Sequence, residues 1–67
     1  MAVVKVIEIL AESTESWEAA TKEAVAEATK TVNNIQSVYV RNLQAIVKGN
    51  EIVKYRVNAK ISFIVKK

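Results

Sequence analysis

Residues 13–35 read STESWEAATKEAVAEATKTVNNI, the only stretch of the chain long and regular enough for a full amphipathic helix. Trp17, Ala20, Ala24, Ala28 and Val32 recur at steps of three and four, which puts them on one stripe of a 3.6-residue helix. A stripe made mostly of alanine lets a helix lie close on a sheet, with Trp17 and Val32 as the bulky contacts towards its ends. Trp17 is therefore read as a core anchor rather than a ligand-stacking group. Ser13 or Thr14 is the expected N-cap, and Glu15 and Glu18 place negative charge where the macrodipole is positive. Glu18 and Lys22 make a favourable i,i+4 pair, Lys30 sits near the negative end, and Glu23 and Glu27 repel, all as parts of a solvated face. Asn33 and Asn34 supply the left-handed stop.

The segments on either side alternate with a period of two. Val3 to Leu10 is a strand, with Ile7 and Ile9 on one face and Val4, Val6 and Glu8 on the other. Both faces are largely apolar, so the second needs cover beyond the chain's single helix. Ala11 and Glu12 lead into the helix. Ser37 to Val47 and Ile52 to Val65 are the second and third strands, joined by Lys48-Gly49-Asn50-Glu51, a hairpin signal. The third alternates strictly, with Val53, Tyr55, Val57, Ala59, Ile61, Phe63 and Val65 opposite Lys54, Arg56, Asn58, Lys60, Ser62 and Ile64. The second alternates less cleanly near Asn42 to Gln44, where a bulge or a change of pairing is expected. The order β-α-β-β implies an α+β fold, a three-stranded antiparallel sheet wrapped around one helix.

At 67 residues this is one domain, residues 1–67, too small for its own core to outweigh the entropy of ordering. With no cysteine and no histidine, neither disulfides nor a Cys/His zinc site can stabilise it, which leaves oligomerisation. A hydrophobic content of 51% points the same way. No segment is long enough to span a membrane and MAVVKVIEIL lacks the pattern of a signal peptide, so a cytoplasmic location is expected. The basic residues concentrate in 37–67, which hold seven of the ten against Glu51 alone.

No nucleophile elbow, phosphate-binding loop or paired carboxylates can be found, and the chain reads as no enzyme. The stripe Lys54, Arg56 and Lys60 suits anions, although an ordinary solvated sheet face explains it as well. Nucleic-acid binding is disfavoured because Tyr55 and Phe63 point to the opposite, core-facing side. The chain has no aspartate, so a metal site is only weakly supported; Asn33, Asn34 and backbone carbonyls form the one candidate for a hard cation such as calcium.

Taken together, VVKVIEI, the turn at ESTESWEAA, ATKTVNNI and the final VKYRVNAKISF resemble the dodecin family over essentially the whole chain. The resemblance implies a hollow homododecamer that binds or stores flavins, such as riboflavin, FMN or lumichrome, without catalysis. It also implies where the ligand sits. The family's flavin-stacking tryptophan, at the start of the second strand, corresponds to Ser37, and its ring-binding glutamine in the third strand corresponds to Arg56. A hydroxymethyl offers no π surface, and a guanidinium donates but cannot accept. The expectation is therefore an altered, weak flavin site, open to an anionic or different small ligand. Family members that lack the tryptophan resemble calcium binders or have no assigned ligand, so a calcium-binding or purely structural shell is the alternative.

Overall fold

The computed structural model describes residues 3–66 and has the order β1 (Val3–Ser13), α1 (Trp17–Ala28), β2 (Ile35–Lys48), β3 (Glu51–Lys66). The three strands form one antiparallel sheet in the order β1-β3-β2, with α1 packed on one face. The longest and most strictly alternating strand thus takes the centre, where both of its edges are paired.

The helix is shorter than the periodic stretch at both ends. β1 continues through Ala11, Glu12 and Ser13, paired with Val57, Arg56 and Tyr55, because β3 offers a partner for each of these backbone groups. Ser13 is therefore a strand residue whose Oγ accepts from the amide of Glu15, and the N-cap is Ser16, whose Oγ accepts from Ala19 N at 2.9 Å. At the other end the helix stops at Ala28. Thr31 and Val32 still donate to the Ala28 carbonyl, so the chain winds on for one loose turn. Asn34 adopts the left-handed conformation expected of it (φ 63°), but it does so after that turn, aiming Ile35 into β2.

Ala20, Ala24, Ala28, Val57, Ala59 and Ile61 are the fully buried core. Four of the six are alanines, so α1 lies close on β3 while Ile61 and Val57 supply most of the buried volume. Ile7, Ile9, Val32 and Val38 close the margins of this cluster.

Trp17 departs from its expected place. It is half-buried at the edge of the core rather than inside it, edge-on to Tyr55 (centroids 4.9 Å apart, planes at 73°). Its indole N–H donates to the backbone carbonyl of Gln44 at 2.9 Å. A tryptophan at the first helical residue overhangs the end of the helix, and its polar edge reaches the Gln44 carbonyl of β2 better there than it would within the alanine stripe.

The irregularity in β2 falls between Val40 and Asn42, leaving Arg41 as the extra residue; further shifts lie between Ile35 and Ser37 and between Ile46 and Val47. Gly49 and Asn50 both have positive φ (59° and 66°) between the paired Lys48 and Glu51. That is the two-residue type I′ connection, whose twist matches the strands it joins.

Candidate functional site

Ser37 and Arg56 both lie on the sheet face turned away from the helix, since their neighbours Val38, Val57 and Ile61 belong to the buried side. The structure does not bring them together within one protomer. Ser37 pairs with Ser62, six residues along β3 from Arg56, a separation of roughly 20 Å at the rise of a strand.

Each is engaged by the chain itself. The hydroxyls of Ser37 and Ser62 share a hydrogen bond of 2.6 Å. Arg56 donates through Nε at 2.7 Å and approaches through Nη2 at 2.6 Å the same carboxylate oxygen of Glu12, while Lys54 Nζ lies 3.5 Å from the other. The Arg56 hydrogen bond, helped by the charges of Arg56 and Lys54, holds the Glu12 carboxyl below its usual value against a smaller opposing effect of desolvation.

The basic stripe is accordingly less bare than the β3 sequence suggests. In the register of β1 and β3, Glu12 stands opposite Arg56 and Glu8 opposite Lys60, so acids of the edge strand face two of its three cations. Glu12 and Ser62 are the site residues that single-strand reading misses. Alternation places Arg56 on a face, but only the antiparallel register says which acid meets it.

Asn33 and Asn34 line an open hollow of about 270 Å³ with Phe63 and Ile64. The Asn34 carbonyl accepts from Ile64 N at 3.1 Å and, more weakly, from Gln36 Nε2 at 3.4 Å, so its lone pairs are already in use. Among the described residues no group of three or more His, Cys, Asp or Glu side chains converges as a metal site. Nor is any helix among them long and apolar enough to cross a membrane.

No curated protein matches the sequence. The fold has close counterparts among solved structures. The tt0972 protein of Thermus thermophilus superposes with a TM-score of 0.93 at 25% identity, covering 100% of this chain and 98% of that one. A dodecin from Streptomyces davaonensis shares the fold at a TM-score of 0.91 and 20% identity, over 98% and 97% of the two chains. The calcium-chelating immunodominant antigen of Mycobacterium tuberculosis, a calcium dodecin described with a novel calcium-binding site, is 34% identical over 96% of this chain and 91% of that one, at a TM-score of 0.83. The dodecin family model matches residues 3–66, so the chain that wraps this three-stranded sheet around its alanine-striped helix belongs to the dodecin family.

Proposed function

We propose that the protein is a non-enzymatic, cytoplasmic homo-oligomeric shell, of twelve subunits by family, that binds or stores a small ligand and holds flavins only weakly. The observation that carries this reading is the state of the two ligand positions. Ser37 presents a hydroxyl already bonded to Ser62, and Arg56 is held by Glu12, so no stacking ring is offered to an isoalloxazine and the Arg56 side chain can only donate to it. What Arg56 retains is its remaining N–H groups, which suit an acceptor-rich or anionic ligand.

The test uses native mass spectrometry for subunit count and retained small molecules, followed by titration with riboflavin. Wild type is expected to quench flavin fluorescence weakly. Ser37→Trp adds a stacking surface worth about 0.5–1.5 kcal/mol per aromatic contact. Adding Arg56→Gln restores a side chain that both donates and accepts, so the double variant is expected to bind more tightly than either single one. Tight riboflavin binding by wild type defeats the weak-site reading, and absence of any gain in the double variant removes these positions from the site.

A second reading, calcium binding, is favoured by the 34% identity to the calcium dodecin. Asn33 and Asn34 are its candidate side chains, with oxygens from a neighbouring subunit completing the shell. A thermal midpoint that rises with calcium, falls with chelator and loses both responses in Asn33→Ala supports it.

A further inference from the structure

Lys54 and Arg56 are two residues apart on the central strand, so both side chains leave the face turned away from α1, about 7 Å apart. The Glu12 carboxylate bridges them. Arg56 reaches Oε2 through Nε at 2.7 Å and through Nη2 at 2.6 Å, while Lys54 Nζ lies 3.5 Å from Oε1. Two oxygens of one anionic group are thus shared between two cations, with the guanidinium fork closing on one of them. Glu12 shows from within the chain which chemistry this pair of side chains takes: a small oxyanion group.

The contact does not follow from register alone. Glu8 and Lys60 face each other across the same two strands, four residues along, yet they make no ion pair among the described residues. Nor do the surroundings lock Glu12 in place. β1 is an edge strand, Glu12 is one residue from its end, and its side chain is 35% exposed. An exposed pair of this kind contributes little to stability, so it opens readily. The other charged groups near Glu12 are Glu8 on the same face of β1, and Glu15, Glu23 and Glu27 around the hollow between β1 and α1. None of these acids makes an ion pair with Arg56 or Lys54, and β2 sets only the neutral Gln44 opposite Arg56.

We infer that Glu12 is a built-in competitor for an oxyanion site formed by Arg56 and Lys54: its carboxylate closes the site when no ligand is present, and an incoming oxyanion displaces it into water. This rests on reading Arg56 as a ligand position and adds how that position is regulated. Only the open fraction of the site accepts a ligand, so Glu12 raises the apparent dissociation constant in proportion to the time it spends on Arg56. It also sets a like charge beside the incoming anion. Protonation of Glu12 removes both obstacles at once, so the site opens towards acid.

Calorimetric titration of the full chain with sulfate, at constant ionic strength, tests it; sulfate keeps its charge through the range in which carboxylates titrate. At about pH 7, Glu12→Gln is expected to bind sulfate about three- to tenfold more tightly than wild type. Glu8→Gln removes the same charge from the same face without touching Arg56, and its affinity is expected to stay within about twofold of wild type. Arg56→Gln is expected to lose sulfate binding, alone or combined with Glu12→Gln. Wild type gives a second reading that needs no substitution: between about pH 7 and about pH 3 its affinity should rise by more than that of Glu12→Gln, which has no competitor left to neutralise. Equal affinities of wild type and Glu12→Gln at about pH 7, parallel gains towards acid, or an equal gain from Glu8→Gln overturn the inference; loss of binding in Arg56→Gln then keeps Arg56 as the ligand position. Sulfate binding that survives Arg56→Gln, or no binding in any of these proteins, overturns the reading of Arg56 and the inference with it.

Discussion

The two ends of the sheet are built from similar strand sequence, yet one is a core and the other a bare arm. Around Val57, Ala59 and Ile61 the alanine face of α1 excludes water completely. Towards the hairpin turn the equally apolar Val47 and Ile52, paired with each other, stay more than half exposed. Nothing in the alternation of β3 distinguishes the two, since Val53 and Tyr55 continue the face that holds Val57 and Ile61. What differs is the reach of the helix. Hydrophobic residues become core only where a second layer arrives, and a single short helix supplies that layer for about a third of the sheet's length.

The contrast is sharpest at Ile61, the largest side chain buried without residual exposure. Ile61→Ala is expected to destabilise by about 2–5 kcal/mol, because a cavity opens between close-packed alanines that cannot collapse far. Urea unfolding should show this loss at every protein concentration. Val47→Ala, at the uncovered end, should lower apparent stability chiefly through assembly, so its effect should depend on concentration. Equal, concentration-independent losses for both variants would erase the distinction between core and arm.

Trp17 stands at the boundary between the two regions. Its truncation to alanine is expected to cost about 2 kcal/mol, less than a fully buried tryptophan, because part of the ring remains in water. The loss combines the edge-on contact with Tyr55 and the hydrogen bond to the Gln44 carbonyl. Emission of the native protein should fall between those of buried and fully hydrated indole. Trp17→Phe, which keeps an aromatic ring and deletes the N–H, separates the two contributions.

The sequence makes the element order, the alternating faces of β3, the hairpin turn and the alanine stripe legible, because each is a local pattern with its own period or turn chemistry. Where α1 begins is less legible. Ser13, Thr14 and Ser16 are all competent caps, and the choice among them is made by β3, which pairs with β1 as far as Ser13. The same non-local pairing hides the environment of the candidate site. Ser37 and Arg56 can be placed on a face from β2 and β3 alone, whereas their partners Ser62 and Glu12 follow only from the register between strands.

Glu12 gives the smallest expected effect and links the boundary to pH. It occupies the part of β1 beyond Leu10, opposite Arg56 and within reach of Lys54, on the face away from Trp17. Because its folded carboxyl is held below the usual value, chiefly by the Arg56 hydrogen bond, the ionised form favours the folded state. The sign follows from linkage. The contribution is fully present above the unfolded glutamate value, and it is lost as the pH falls through the depressed folded value. The pair is open to solvent, so the effect is modest and screened by salt. Comparing urea midpoints at about pH 7 and about pH 3, on either side of the ordinary carboxylate range, wild type should lose an increment that Glu12→Gln lacks. At about pH 7 the variant should be the less stable of the two, and the difference should shrink towards acid. Parallel loss in both proteins would show that Arg56 gains nothing from Glu12 in solution. Arg56 would then be free to meet an anionic ligand unopposed, and binding of such a ligand by wild type and by Glu12→Gln should be equal.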